Sequence, residues 1–263
     1  MKNNLKLIVL DNAKELGDKV INYLKKSYPN CATKKMLYRF ANGEGKAKIC
    51  ESVRAKDVFI LADVGNYHEE YLLHGKPHQM SPDEHFQDIK RVICAVRGAA
   101  SKITVIMPLL YQSRQHKRKG RESLDCALAL QELYNLGIDG IITFDVHDPN
   151  IVNAIPALPF ENFYPTSKIL EELLHNEKEI VNNLLVIAPD MGAMERARFY
   201  AEMLGCDVGV FYKRRDLSKV INGKNPIVEH VYMGADIKGK DIIVVDDMIS
   251  SGASMLDVSK ELK

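Results

Sequence analysis

The stretch that most constrains the fold is Asp241 to Met255, DIIVVDDMISSGASM. Ile242 to Val245 are four apolar β-formers in a row, which predicts a buried strand. The run ends in two carboxylates, Asp246 and Asp247. Small residues follow, Ser250, Ser251, Gly252, Ala253 and Ser254, ahead of a helical pattern. Such a loop lets successive backbone N–H groups and hydroxyls converge on an anion, and the helix after it presents its positive N-terminus to the same point. The paired carboxylates can hold the hydroxyls of a sugar, or a divalent metal bridging those hydroxyls to a second ligand.

The same arrangement recurs along the chain. Ile103 to Leu110 is strongly apolar and runs into Tyr111–Arg121, where Arg114, Lys117, Arg118, Lys119 and Arg121 crowd together. Like charges so close repel one another unless an anion joins them, and in an open α/β sheet ligands collect beyond the carboxyl ends of the strands. Gly140 to Val146 leads into Asp145-Val-His147-Asp148, and Leu184 to Ala188 into Pro189-Asp190-Met-Gly192 with Arg196 and Arg198 beyond. His147, flanked by Asp, is placed to reach a phosphate or a metal-bound water.

Between these stretches the pattern alternates strand and helix. Leu5 to Leu10 predicts a strand, and Asn12 with Glu15 a capping box for a helix whose buried stripe is Leu16, Val20, Ile21 and Leu24. Lys35 to Phe40 predicts a strand closed by Asn42-Gly43, both residues supplying positive φ. Val58 to Val64 predicts another. From Gly65 to Asp83 the chain is polar, with His68, His74 and His78 and two prolines, and reads as a loop insertion without metal-ligand spacing. Phe86, Ile89, Ile93 and Val96 then share a helical face, and Ser123 to Leu136 predicts a helix stopped by Gly137.

The 263 residues, 46% hydrophobic, fill two modest domains or one large one. A net charge of +1 gives no overall field for nucleic acid or an anionic membrane, so anion binding has to be local. Five cysteines without a CxxC pair read as reduced core residues of a cytoplasmic protein. No apolar run approaches ~20 residues, so no membrane span is expected.

The Asp241–Met255 stretch resembles the phosphoribosyl pyrophosphate loop of type I phosphoribosyltransferases. The ordered set Phe40-x-Asn42-Gly-Glu44, Glu51-Ser-Val-Arg54, Arg114-Gln115, Asp145-Val-His147, Pro189-Asp190-x-Gly192, Lys213-Arg214-Arg215 and Val245-Asp-Asp247 is similar to ribose-phosphate pyrophosphokinase. That resemblance implies an α/β fold of two tandem phosphoribosyltransferase-like domains, each a mainly parallel sheet flanked by helices. They would occupy 1–160, on the nucleotide side, and 161–263, the second incomplete at its C-terminus. It implies transfer of the diphosphoryl group of ATP to the 1-hydroxyl of ribose 5-phosphate, giving phosphoribosyl pyrophosphate and AMP. Arg114, Gln115 and His147 would meet ATP, with Phe40, Asn42 and Glu44 approaching it from a neighbouring subunit. Asp190, Asp246, Asp247 and Ser250, Ser251, Gly252, Ala253 and Ser254 would hold ribose 5-phosphate. His147, Asp190, Asp246 and Asp247 would surround Mg2+, or Mn2+ in its place. Lys213, Arg215 and His147 would be catalytic, with the segment from Lys213 to about Asn225 closing over the reaction. A dimer-based homo-oligomer, up to a hexamer, would follow.

The chain departs from the family pattern where Ser250 stands for a carboxylate, Asn42 for Asp and His116 for Asp. Two other readings remain open: a catalytically weak regulatory homologue, and a phosphoribosyltransferase of nucleotide salvage.

Overall fold

A computed structural model describes residues 4–177, 183–215 and 227–262. The chain divides into two compact units, Met1–Tyr164 and Pro165–Lys263, beside the 160/161 boundary expected from the sequence.

The first unit runs β1 (Leu5–Val9), α1 (Lys14–Leu24), β2 (Lys35–Arg39), β3 (Gly45–Ile49), β4 (Asp57–Leu61), β5 (Glu70–Leu73), β6 (Lys76–Gln79), α2 (Pro82–Val96), β7 (Lys102–Met107), α3 (Asp125–Asn135), β8 (Gly140–Phe144) and β9 (Phe160–Phe163). Strands β1, β4, β7, β8 and β9 form one parallel sheet in that order. Period-2 alternation sends successive side chains to opposite faces. Ile8, Ile60, Val105 and Ile141 enter the main core with Phe86, Ile89, Ile93 and Val96 of α2 and Leu130 and Leu133 of α3. Leu7 and Leu61 face the other way, against Val20, Ile21 and Leu24 of α1.

Several local expectations change. Asn12 caps no helix; it is buried and accepts the Asp63 N–H at 3.2 Å, while its carbonyl accepts Asn66 Nδ2 at 2.8 Å. Its side-chain oxygen is directed to the 63–66 loop instead of to the first turn of the helix. Leu16 is exposed, because α1 turns Gly17 toward β1, where a methyl group would overlap Val9. In the β2–β3 hairpin Gly43 alone takes positive φ, at 89°, and Asn42 does not. Cys50 and Cys94 are exposed, so the cysteines are not uniformly core residues; all five are free thiols.

The polar stretch 65–83 is not a plain loop. It folds into the hairpin β5–β6, with Tyr71 opposite His78 and Leu72 opposite Pro77. Its turn meets the first hairpin where the His74 N–H donates to the Ala41 carbonyl at 2.7 Å. Ser81 then starts α2 with a reciprocal capping box to Glu84, and Pro82 is tolerated because the first helical turn needs no N–H partner.

The second unit runs α4 (Thr166–Asn176), β10 (Leu184–Ala188), α5 (Met194–Leu204), β11 (Asp207–Arg215), β12 (Ile227–Gly234), β13 (Asp241–Val244) and α6 (Ala253–Glu261). Its sheet has the order β12-β11-β10-β13, with β10 parallel to both neighbours and β12 antiparallel to β11. One face packs on α4 and α5 through Leu170, Ala197, Tyr200 and Ala201, the other on α6 through Val258. Only the first half of β11 pairs with β10; Phe211 to Arg215 continue with β12 alone, and the register shifts between Arg214 and Arg215. Tyr232 lies over the facing glycines Gly209 and Gly234, and its hydroxyl donates to the Ala235 carbonyl at 2.7 Å. Among the described residues no helix is long and apolar enough to cross a membrane.

Candidate active site

In the second unit β10 is followed by β11 on one side, while β13 returns on the other, so the chain leaves the two adjacent strand ends in opposite directions. Such a switch point opens a crevice at the carboxyl edge of the sheet. Asp190 stands at the end of β10 and Asp246 and Asp247 just past the end of β13. Asp190 Oδ1 accepts the N–H groups of Gly192 and Ala193 at 2.9 and 3.3 Å, shaping the start of α5. A Cβ at 192 would lie 3.1 Å from that oxygen, a tight contact that glycine avoids.

Asp246 Oδ1 accepts the Asp247 N–H at 2.9 Å. Partial burial, with the Asp247 carboxylate beside it and Asp190 beyond, pushes the Asp246 carboxyl up to about 6. Charge crowded in this way calls for a cation or for hydroxyl donors. Past the pair, Gly252 takes φ 72° and stands at the N-cap of α6, where it brings no side chain to the first turn. The leading N–H groups of a nine-residue helix are thus offered to the loop that carries Ser250 and Ser251. Ala253 and Ser254 belong to that first turn. Among the described residues no three His, Cys, Asp or Glu side chains make a metal cage. The donor set of Asp246 and Asp247 instead suits Mg2+ in its usual protein setting, held by one or two carboxylates with substrate oxygens and water completing it.

In the first unit the loop after β7 and the turn after β8 lie at adjacent strand ends. The loop is pinned at Tyr111, whose ring stacks on Phe86 at 4.3 Å and whose hydroxyl donates to Asp83 Oδ1 at 2.6 Å. Arg114 and Gln115 are exposed; the Gln115 N–H donates to the Gln112 carbonyl, and Gln112 itself has φ 57°. After β8, Asp145 has φ 45° and donates its N–H to the Phe163 carbonyl, while the Val146 N–H donates to Asn162 Oδ1. A non-glycine residue in that region costs of order 1 kcal/mol and turns His147 out of the strand direction. The His147 ring meets His116 edge-on, 5.1 Å between centres. Asp148 joins the loop to this turn: His116 Nε2 and Lys117 Nζ lie 3.2 and 3.0 Å from its Oδ2. The Asn150 N–H, with help from Lys117 and against the effect of burial, holds the Asp148 carboxyl at about 2. The signal passed over in the sequence was Asp148-Pro149-Asn150, whose Asp caps the turn by accepting the Asn150 N–H.

Phe40, Asn42 and Glu44 sit together at the tip of the β2–β3 hairpin. Phe40 is half exposed, and Asn42 Nδ2 donates to Glu44 Oε2 at 3.0 Å. Beneath them Arg39 makes a bidentate pair with buried Asp88, 2.9 and 2.5 Å, and lies over the Tyr71 ring. Tyr71 and His78 in turn hold Glu84. The reading of 65–83 as an insertion missed this support, since its partners are distant in sequence. Lys213 and Arg215 lie on the part of β11 that extends beyond β10; their side chains, and the closing segment expected as far as Asn225, fall outside the described residues.

Residues 5–137 match the family model for the N-terminal domain of ribose phosphate pyrophosphokinase, and residues 160–263 the phosphoribosyl transferase domain. The chain belongs to the ribose-phosphate pyrophosphokinase family. Ribose-phosphate pyrophosphokinase of Chlorobaculum tepidum is 28% identical over 100% of this chain and 73% of its own length. That of Thermotoga maritima is 28% identical over 99% of this chain and 75% of its own. The crystal structure of phosphoribosylpyrophosphate synthetase from Mycobacterium smegmatis superposes with a TM-score of 0.78 at 25% identity, covering 99% of this chain and 76% of that one. The expected fold class, two α/β domains of this family with mainly parallel sheets, is therefore correct.

Proposed function

We propose that the chain is a ribose-phosphate diphosphokinase, forming phosphoribosyl pyrophosphate from ATP and ribose 5-phosphate for nucleotide biosynthesis. The observation that carries this reading is the switch-point crevice of the second unit. There a carboxylate pair, a small-residue loop and a helix N-terminus entered through Gly252 stand together, in a chain whose other half matches the pyrophosphokinase N-terminal domain. The 1-hydroxyl oxygen of the sugar bonds to the β-phosphorus of ATP as the bond from that phosphorus to the α,β-bridging oxygen breaks. AMP departs and the hydroxyl proton is released.

Ser250 to Ser254 and the first turn of α6 bind the 5-phosphate. Asp246 and Asp247 hold the ribose hydroxyls, and with Asp190 they are the groups that would hold Mg2+, or Mn2+ in its place; His147 is the first unit's own candidate for a metal-bound polyphosphate. The metal supplies charge neutralisation of the polyphosphate when bound. Arg114, Gln115 and His147 receive the nucleotide, and Phe40, Asn42 and Glu44 of a second copy complete its purine side, which makes the active form a homo-oligomer built from dimers. Lys213 and Arg215 meet the charge that develops on the transferring group, a role worth several kcal/mol where water is excluded.

The test is incubation of the full chain with ATP and Mg2+, with and without ribose 5-phosphate, and separation of the nucleotides. AMP should form only with the sugar phosphate, and Lys213→Ala should lower its rate about 100-fold or more. Folded protein that binds ATP but releases no AMP would favour a regulatory homologue, a role that Ser250 in place of a carboxylate would suit.

A further inference from the structure

Five cations in the loop after β7 repel one another, so the loop needs ties to keep one conformation. Tyr111 anchors its beginning and α3 its end. Its middle is held at Asp148, whose carboxylate is itself fixed: Oδ1 accepts the N–H and Nδ2 of Asn150, both at 2.9 Å. The other oxygen faces the loop. His116 and Asp148 side chains are 14% and 12% exposed, whereas Lys117 is 69% exposed. The sheltered histidine contact is the less screened of the two. With Nε2 donating to Asp148, Nδ1 is left buried without a partner. Leaving such an atom unpaired costs about 1–3 kcal/mol, so the ring is poorly explained by its own contribution to stability. It is placed where it packs on His147 and lies next to Gln115 in the chain.

We infer that His116 and Asp148 are a positioning pair, a clasp that fixes the Arg114–Gln115 segment at the carboxyl end of β8 for nucleotide binding. This rests on the diphosphokinase reading only in the choice of ligand. The clasp itself is independent of it.

Trypsin and α,β-methylene ATP read the two parts separately in the full chain. His116→Ala is expected to speed cleavage within 114–121 and to weaken the analogue by about 5- to 20-fold, the equivalent of one lost sheltered contact. His116→Gln, whose amide N–H reaches the same carboxylate, restores both to within about twofold. Asp148→Asn costs less when added to His116→Ala than it does in the wild-type chain, because the two residues share one contact and only the exposed Lys117 pair is left to lose. Unchanged cleavage and affinity in His116→Ala, or a glutamine variant no better than alanine, overturns the clasp. Faster cleavage with unchanged affinity overturns the positioning role. A wild-type chain that binds no nucleotide yet shows the same cleavage pattern supports the clasp and sinks the diphosphokinase reading instead.

Discussion

Asp88 is the clearest case of one residue on which a candidate site depends without touching a ligand. It is 4% exposed and receives both Arg39, the last residue of β2 before Phe40, and Arg91 from its own helix. Removing the carboxylate leaves two guanidinium groups facing each other in a sheltered place. Asp88→Ala should therefore cost about 3 kcal/mol in urea unfolding, and the lost order at the β2–β3 tip should appear as faster amide exchange from Arg39 to Glu44. A loss below about 1 kcal/mol would mean that the pair is effectively solvated. Nothing local in the sequence announces this partnership, for residues 39 and 88 meet only because two hairpins and a helix pack together. His116 with Asp148 is a similar case. Each was visible as a chemistry-bearing residue near a strand end, but their pairing was not.

At the scale of the element, the start of α2 carries a pH dependence. Partial burial opposes ionisation of Glu84, but the Ser81 N–H, the Tyr71 hydroxyl and the His78 ring outweigh it and hold the carboxyl at about 2. Since the folded value lies below the unfolded one near 4.5, the stabilisation is complete above that pH and fades as pH falls toward 2. After solvent screening it amounts to about 1–2 kcal/mol. The melting temperatures of wild type and Glu84→Gln should thus differ most near pH 6 and converge only as pH falls to about 2; a gap that widens on acidification would contradict the assignment. The apolar stripe of this helix was plain in its period, as were the runs that became β7, β8 and β10. The hairpin β5–β6 was not. Its strands are short and polar, Pro77 sits within one of them, and what decides their pairing is the contact of Tyr71 with Glu84 and of His74 with Ala41. The Asn12–Glu15 capping pattern failed for the converse reason, a good local signal overridden by the loop at Asp63 and Asn66.

The two units differ in how much core each has. Among the described residues, the first buries one large continuous cluster and a second smaller one, whereas the sheet of the second separates two thin clusters, with Val258 the buried residue from α6. Amides of β10 are accordingly expected to exchange at least about tenfold faster than those of β4 and β7, a difference of ~1.4 kcal/mol. Equal protection would show that the whole chain opens as one cooperative body. Site chemistry was legible in the sequence to the extent that each candidate follows an apolar run, because carboxyl ends of parallel strands share an edge. Strand order was not legible, and it is strand order that brings Asp190 beside Asp246 and Asp247. The crevice so formed has one further property. Where an anion is met by main-chain N–H groups at the start of α6, side-chain identity is free to drift provided the residues stay small and a glycine supplies the turn. On the proposed reading, that latitude would let Ser250, Ser251 and Ser254 occupy the loop in a chain 28% identical to a relative, and variation should accumulate there faster than at the carboxylates beside it.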